Sequence, residues 1–315
     1  MSLVSKIILI VIILVIIFVI IPALLIGPVL FIKLLVRTSK KKWGRFCSET
    51  KDKEQVQMYE RGLEWEKENH NFKSDVSIYN DGLKLCGEYF NFGFDKAVII
   101  ISGRSEGCTY SYYFSKPYKN LGYNVLVIDN RAHGFSDGKY LAFGLKEYTD
   151  ILAWGKFLNQ TYSIKSILLH GICVGAATSL YVLVSENVPD YFCGMIAEGM
   201  YTTFYDSFKN HIIEKKHSTF PALQEVFILI RLFAKVDAKN NGPIYCIDKL
   251  KKPILFLHSK QDKFSLPEEA ERLYELCNAN KRIVWFQKGV HSHIRINNED
   301  EYDKAIIEFV GSYLI

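Results

Sequence analysis

Residues 7–32 form an uninterrupted apolar run without a charged side chain, and this run restricts the folding of the chain more than any other feature. An α-helix rises about 1.5 Å per residue, so the run is long enough to cross the ~30 Å hydrocarbon core of a bilayer. A cleaved signal peptide would have a shorter apolar region, of about 7–15 residues, and a small-residue cleavage site. We therefore predict a single-pass transmembrane anchor over residues 1–36, in contact with the lipid bilayer through residues 7–32.

Basic residues are concentrated next to the apolar run. No Asp or Glu occurs before position 48, where the basic residues are Lys6, Lys33, Arg37, Lys40, Lys41, Lys42 and Arg45. Because most of them follow the run, the positive-inside rule places the C-terminal part of the chain in the cytoplasm. The remaining sequence is close to neutral, which excludes a nucleic-acid-binding domain with Lys and Arg spread over one folded face.

The seven cysteines are widely spaced and include no CxxC pair. This pattern is typical neither of a disulfide framework nor of a zinc site, and it favours a reducing compartment such as the cytoplasm. We expect no metal and no other cofactor.

Residues 37–73 are basic at first and then highly charged, with only a few apolar side chains such as Tyr59, Leu63 and Trp65. Isolated apolar residues in a charged segment are typical of a helix exposed to solvent. We predict a basic collar and a charged linker helix in this stretch, followed by one folded domain over residues 74–315.

That domain alternates short apolar runs with longer stretches of helical character. The runs predict strands at 76–79, 83–91, 97–101, 125–128, 167–169, 254–257 and 283–286, and the longer stretches predict helices at 111–121, 145–160, 175–186, 203–214, 267–278 and 300–313. This alternation predicts an α/β fold, a doubly wound and mostly parallel sheet with helices on both faces. Residues 215–246 interrupt the alternation, and we interpret them as an insertion that forms a lid or cap.

A sharp glycine-rich turn follows the strand predicted at 167–169. Residues 171–175 match the pattern Gly-x-nucleophile-x-Gly, with Cys173 at the nucleophile position. A Cβ atom at Gly171 or Gly175 would collide with neighbouring backbone in such a turn. The cysteine would lie at the N-terminus of a helix, where the dipole favours a thiolate. The alternative is a buried structural cysteine in a strand–helix turn.

Two further strand ends carry residue types that can complete such a site. Asp262 follows the strand at 254–257, where a carboxylate can accept the N–H of an imidazole or merely cap the helix that begins at Pro267. His291 and His293 follow the last strand, and an imidazole there can act as a general base toward Cys173. The two histidines lack a third ligand at the spacing of a metal site.

Residues 74–315 resemble the α/β-hydrolase superfamily, in which nucleophile, acid and base occur in this order along the chain. The closest likeness is to bacterial membrane-anchored hydrolases related to serine aminopeptidase-like and Bem46-like proteins. It is carried by the Asp-Gly-Leu-Lys-Leu hairpin at 81–85, the Asp-x-Arg-x-His-Gly-x-Ser-x-Gly loop at 129–138, the segment 257–267, and the closing His291, Tyr302 and Phe309.

The resemblance implies a role for each candidate residue. Cys173 would be the nucleophile, Asp262 the acid and His291 the base, and the backbone N–H groups of Arg104 and Val174 would form the oxyanion hole.

The family pattern also separates the two histidines. In the family a Tyr follows the catalytic His at the distance that separates His291 from Tyr302, which favours His291 over His293. The chain departs from the family at two positions: Ser102 stands where the family has His, and Cys173 stands where it has Ser.

We therefore predict a membrane-anchored hydrolase that cleaves an ester or thioester, and by extension an amide, through a Cys-His-Asp triad. Its substrate would be a small acyl compound, and the anchor and the apolar insertion favour a lipid-like one. Two alternatives remain open at this point: a weakly active or inactive binding or scaffold protein with the same fold, and a peptidase, since a fold does not determine a substrate.

Overall fold

The apolar run near the N-terminus is helical but divided. The computed structural model describes residues 2–46, 50 and 52–314. Within the run, helix α1 (Leu3–Val15) is followed by a π-helical stretch (Ile16–Ile20) and by helix α2 (Ile21–Leu35). Among the described residues, no single helix is long and apolar enough to cross a membrane. The transmembrane helix predicted for residues 7–32 is therefore not confirmed, because the change in helical hydrogen bonding divides the run into two shorter helices.

The remaining elements alternate as the sequence predicts. The strands are β1 (Lys73–Asn80), β2 (Leu83–Phe90), β3 (Lys96–Ile101), β4 (Asn124–Ile128), β5 (Ser166–Ile172), β6 (Phe192–Glu198), β7 (Ile254–Ser259) and β8 (Lys281–Phe286). The helices are α3 (Lys53–Asn69), α4 (Cys108–Ser111), α5 (Lys116–Asn120), α6 (Glu147–Tyr162), α7 (Val174–Leu183), α8 (Phe204–Glu214), α9 (Ala222–Leu229), α10 (Pro267–Leu276), α11 (Ile294–Asn297) and α12 (Glu299–Tyr313).

The eight strands form one sheet in the order β1-β2-β4-β3-β5-β6-β7-β8. β2 pairs antiparallel with β1 and β4, and every other pairing is parallel. This confirms the predicted doubly wound, mostly parallel sheet. The sequence did not predict β6, whose Phe-Cys-Gly start hides the short apolar stretch that follows. The parallel pairing places the C-terminal ends of β3, β5, β6, β7 and β8 at one edge.

Apolar side chains are buried on both faces of this sheet, as the unbroken apolar runs predict. In β3, Val98 and Ile100 pack in one cluster and Ile99 packs in the other. Helices α6, α7 and α10 cover the face of Ile99, whereas α3 and α12 cover the opposite face. The core therefore has two layers, and the sheet edge between them is rigid.

The predicted linker helix is α3, which packs against the domain. Asp52 caps its N-terminus by accepting hydrogen bonds from the backbone N–H of Glu54 at 3.0 Å and of Gln55 at 3.2 Å. Met58 and Trp65 are buried in the core cluster that also contains β3 residues. This packing holds the first turn of α3 beside the edge of the sheet that is formed by the C-terminal ends of the parallel strands.

The segment 215–246, predicted as a lid or cap and called the cap below, is largely helical, and the end of α2 packs against it. It contains α9 and a π-helical stretch, Ile230–Ala234. Phe31 and Leu35 of α2 are buried against residues of the cap. The backbone N–H of Gly27 donates a hydrogen bond to Glu225 Oε2 at 2.8 Å. The second half of α2 therefore packs on protein, while the large apolar side chains of α1 are exposed.

Candidate active site

Cys173 lies in the sharp turn that the sequence predicts between β5 and α7. Its φ angle is +54°, and its backbone N–H donates to the carbonyl of Glu198 at 2.8 Å. A Cβ at Gly171 would lie 2.2 Å from the carbonyl carbon of Gly175, and a Cβ at Gly175 would lie 2.0 Å from the oxygen of Ile101. Only glycine allows this approach, so the turn holds Cys173 at the N-terminus of α7.

Asp262 and His291 meet beside this turn. The Nδ1–H of His291 donates a hydrogen bond to Asp262 Oδ2 at 2.7 Å. Asp262 Oδ1 accepts the backbone N–H groups of Phe264 at 2.8 Å and Ser265 at 2.9 Å. The carboxylate is buried and its two oxygens are fully engaged, so it fixes the orientation and the tautomer of the imidazole.

The ionised forms of His291 and Asp262 stabilise each other. Burial alone would lower the pKa of His291, but the charges of Asp262 and Cys173 and hydrogen bonds to both raise it well above its usual range. Burial would likewise raise the pKa of Asp262, but the charge and the hydrogen bond of His291 and the N–H of Phe264 hold it below its usual range. The imidazolium form of His291 is therefore stabilised between the carboxylate of Asp262 and the sulfur of Cys173.

His293, the second histidine of the pair, has different neighbours. Its Nε2 lies 3.7 Å from Asp52 Oδ2, and its Nδ1 lies 3.9 Å from Glu54 Oε2. Both acids belong to the N-terminal turn of α3 rather than to a strand end. His293 therefore contributes to the rim of the site, and its ring is not oriented by Asp262.

The loop after β3, which carries Arg104, is held by groups that the sequence alone does not connect. Ser102, at the position where the resembled family has His, donates its hydroxyl to the carbonyl of Glu106 at 2.9 Å. The backbone N–H of Ser105 donates to His133 Nε2 at 3.2 Å, while His133 Nδ1–H donates to the carbonyl of Arg131 at 2.9 Å. Burial lowers the pKa of His133 to about 4, so the ring is neutral and can accept this bond.

A buried polar network lies below the turn. Glu198, at the end of β6, accepts the hydroxyl of Tyr302 at 2.5 Å, and this hydroxyl lies 3.0 Å from His170 Nε2. The Tyr118 hydroxyl lies 2.8 Å from His170 Nδ1. Burial raises the pKa of Glu198 to about 7 and lowers that of His170 to about 3. The network connects the last helix to the strands that carry the site.

A cavity of about 280 Å³ lies beside Cys173 and His291. Four of the five residues predicted for the site line it, namely Arg104, Cys173, Val174 and His291, while Asp262 lies behind His291. Phe204, Phe208 and Phe264 form its apolar wall, and Gln55, Glu106, Ser292 and His293 form much of its polar wall.

Sequence reasoning missed several of these wall residues. Glu106 lies in the loop after β3, and a carboxylate so close to a strand end was a usable signal. Gln55 comes from a helix that the sequence treats as a linker, and Phe208 comes from a helix adjoining the cap. Neither gives a local signal, since only tertiary packing brings them to the cavity.

The arrangement supplies the groups needed for acyl transfer. A thiol lies at a helix N-terminus, an imidazole lies beside it, and Arg104 and Val174 line the same cavity. Within residues 2–46, 50 and 52–314, no group of three or more His, Cys, Asp or Glu side chains is placed to hold a metal ion.

Comparison with known proteins agrees with this fold. The model of the prolyl oligopeptidase family matches residues 109–314. Protein YqkD of Bacillus subtilis is 29% identical over 68% of this chain and 71% of its own. The membrane protein YNL320W of Saccharomyces cerevisiae is 25% identical over 78% of this chain and 74% of its own.

Solved structures share the same architecture. The Pyrococcus furiosus esterase Pf2001 superimposes with a TM-score of 0.66 at 22% identity, covering 79% of this chain and 94% of the esterase. The acylaminoacyl peptidase of Pyrococcus horikoshii superimposes with a TM-score of 0.57 at 19% identity, covering 77% of this chain and 42% of the peptidase. At these identities the likeness demonstrates the fold alone.

Proposed function

The chain belongs to the prolyl oligopeptidase family and is a hydrolase of the α/β-hydrolase superfamily; from this premise we propose that it cleaves esters or thioesters through Cys173, His291 and Asp262. The observation that carries the proposal is the 2.7 Å hydrogen bond from His291 to a buried Asp262, on an imidazole that also interacts with Cys173. A nucleophile, a base and a group that orients the base are the parts that covalent acyl transfer requires.

In the proposed reaction the sulfur of Cys173 attacks the carbonyl carbon of the substrate, and His291 takes the thiol proton. The negative charge that develops on the carbonyl oxygen is stabilised by the backbone N–H groups of Arg104 and Val174. His291 then gives its proton to the departing alcohol or thiol, which leaves an acyl thioester on Cys173. Water, deprotonated by His291, releases the acid and restores the thiol.

Substitution of the nucleophile tests this proposal. We expect Cys173→Ala to lower kcat/KM for a 4-nitrophenyl ester by at least about 10³-fold, since no other group forms the covalent intermediate. Cys173→Ser should keep measurable activity because a hydroxyl can use the same base. Cys277→Ala, which changes a buried cysteine outside the cavity, serves as the control. Full activity of Cys173→Ala would disprove the assignment.

Rapid alkylation by iodoacetamide gives an independent measure. A site cysteine activated by His291 should react faster than a free thiol in an unfolded peptide, and Asp262→Asn should slow it. Alkylation no faster than that of the peptide, together with no ester turnover, would favour a binding protein with this fold.

The proposal includes attachment to a lipid bilayer through the first helices. Large apolar side chains of α1 remain exposed, among them Leu3 at 75% and Val4 at 65%. An exposed apolar surface of this extent favours a lipid or protein partner. The basic residues that follow, from Lys33 to Lys42, would meet anionic headgroups and keep the hydrolase domain on the cytoplasmic side.

Membrane attachment can be tested by alkaline carbonate extraction of the full chain. We expect the chain to stay with the membrane and Ile10→Lys/Ile13→Lys to move it to the supernatant, because two charges would enter the apolar surface. Ile307→Lys, on the exposed face of α12, is the matched control and should stay with the membrane. Complete extraction of the unaltered chain would contradict attachment.

A further inference from the structure

One wall of the catalytic cavity carries a carboxyl group that the proposed reaction does not use. Glu106 lies in the loop after β3 and lines the cavity together with Cys173 and His291. Its Oε2 atom is shielded from solvent and has no charged hydrogen-bond partner among the described residues, although the backbone N–H of Gly103 lies beside the carboxyl group. Buried carboxylate oxygens are normally paired, since an unpaired one loses its hydration without compensation.

This carboxyl group lies next to the nucleophile. A Cβ placed on Gly103 would be 3.3 Å from Glu106 Oε2 and 3.6 Å from the Cβ of Cys173. The two side chains therefore border the same small space beside Gly103. A substrate whose carbonyl carbon contacts the sulfur would bring its nearest substituents within reach of this oxygen.

The neighbours of Glu106 leave Oε2 available. Its other oxygen accepts a long bond from Gln55 Nε2 at 3.4 Å. The guanidinium of Arg104, in the same loop, instead donates to the carbonyl of Leu34 at 3.1 Å. Within the described part of the chain, Glu106 forms no ion pair, and the adjacent rim carries further negative charge from Asp52 and Glu54.

We propose that Glu106 binds a cationic amine on the substrate, so that the enzyme prefers short amino-acyl esters or thioesters over their uncharged isosteres. The inference rests on the proposed hydrolase function and adds a substrate class to it. The ammonium group would give Oε2 the charged donor that the protein does not provide. A substrate without a donor would leave the buried oxygen unpaired, which is the strongest basis for rejecting an analogue.

The ionisation of Glu106 adds a pH dependence to this preference. Burial raises the pKa of Glu106 to about 7, against the charge of His291, the backbone N–H of Gly103 and the charge of Arg104, which all favour the carboxylate. Glu198 and Tyr110 also face this carboxyl group, and Gln55 contacts it from α3. Because only the carboxylate attracts a cation strongly, the preference should grow as the pH rises through about 7.

Matched substrate pairs test the proposal on the full chain. Alanine benzyl ester is compared with benzyl isobutyrate, and β-alanine benzyl ester with benzyl butanoate, so that an ammonium group replaces a methyl group in each pair. We expect wild-type kcat/KM, calculated for the protonated fraction of each amine because an α-amino group titrates at about pH 7.7–8.0, to favour the cationic member of at least one pair by about 10–100-fold at pH 8. Taking the ratio within a pair cancels the titration of His291, which acts on both members.

The variant Glu106→Gln keeps the shape of the side chain and removes its charge. We expect it to bring the ratio close to one, and because the ratio compares two substrates in the same variant, any general change in kcat/KM cancels. Glu106→Asp should retain part of the preference. Glu64→Gln, an exposed carboxylate on the outer side of α3, is the control for a general loss of negative charge and should leave the ratio unchanged.

The outcomes separate this inference from the proposed function. No wild-type preference within either pair, or equal losses for both members in Glu106→Gln, would overturn the role of Glu106 while leaving the hydrolase intact. If Glu106→Gln does not fold, the wild-type ratio and its pH dependence still decide the question. Failure of the wild type to hydrolyse even the uncharged esters would overturn the proposed function itself.

Discussion

The two sides of the catalytic cavity are built in different ways. On the sheet side, Cys173, Asp262 and His291 stand on turns whose backbone groups are hydrogen-bonded and whose glycines approach within contact distance of other backbone. On the cap side, Phe204 and Phe208 are held by apolar contacts among α8, α9 and α2. Directional bonds fix reacting atoms, whereas apolar packing tolerates rearrangement. The sheet side should therefore govern the rate of chemistry, and the cap side should govern which acyl group fits.

The largest effect should come from the sheet side. Asp262→Asn removes the charge that stabilises the His291 imidazolium and the acceptor that fixes its tautomer. We expect kcat to fall by about 10³–10⁴-fold for every acyl chain length, with little change in KM. The pKa of His291 should also fall, since its main stabilising charge is lost, which NMR of the imidazole can measure. An unchanged kcat would show that Asp262 does not orient the base.

The turn itself should tolerate no added atom. Gly175→Ala places a Cβ 2.0 Å from the backbone oxygen of Ile101, so we expect a loss of about 3 kcal/mol or more in the free energy of unfolding. Gly311→Ala, in α12, has open space at its Cβ and is the matched control. It should be neutral or slightly stabilising because alanine favours helix. Equal stabilities in chemical denaturation would disprove the close approach.

The buried network below the turn should make stability depend on pH. The pKa of Glu198 is raised to about 7, so the folded state binds a proton that the unfolded state releases near pH 4.5. Stability is therefore lost as pH rises from about 4.5 to about 7. Glu198→Gln should be more stable than wild type by about 3 kcal/mol at pH 8 and close to it at pH 4.5.

Thermal and denaturant unfolding at the two pH values would measure this difference. Glu301→Gln, on the exposed surface of α12, should behave as wild type at both. A Glu198→Gln variant that is less stable at pH 8 would show that the ionised carboxylate is compensated by its contact with Tyr302.

The smallest effect should come from the cap side. Phe208→Ala removes part of the apolar wall, enlarges the cavity and leaves the sheet side intact. A short acyl chain loses the contact with Phe208, whereas a longer chain can fill the added space. We therefore expect kcat/KM for butanoate esters to fall about 10-fold and kcat/KM for octanoate esters to fall less. Phe220→Ala, in the cap but 73% exposed, is the control. Equal losses of kcat/KM for all acyl chain lengths would show that Phe208 acts on the chemical step, and would contradict the division of roles between the two sides of the cavity.

Much of the sheet side could be predicted from sequence because its constraints are local. Unbroken apolar runs predict five of the eight strands, the β signals on either side of the turn at 80–82 predict two more, and the Gly171-to-Gly175 spacing predicts the turn at Cys173. Their places after β7 and β8 make Asp262 and His291 candidates, the family resemblance implies their roles, and the structure brings them within hydrogen-bonding distance of each other. The missed strand, β6, shows the limit of this reasoning, since Cys and Gly at its start conceal a buried strand.

The cap side could not be predicted in this way because its contacts join distant parts of the chain. The apolar run at 7–32 looks like one membrane helix, yet its end packs on α9, and Gly27 meets Glu225 across almost two hundred positions. Gln55 lies in a charged segment that gives no indication of a cavity. The roles of Ser102 and His133 in holding the loop of Arg104 likewise appear only when the loops after β3 and β4 meet.

The sequence by itself determined the layers of the fold and the order of nucleophile, acid and base, because hydrophobic periodicity and glycine spacing act over a few residues. Only the tertiary structure decided which carboxylate stands beside Cys173 and where the apolar N-terminal helices lie. Those choices depend on packing between elements that are far apart in the chain, and such packing leaves no local pattern to read.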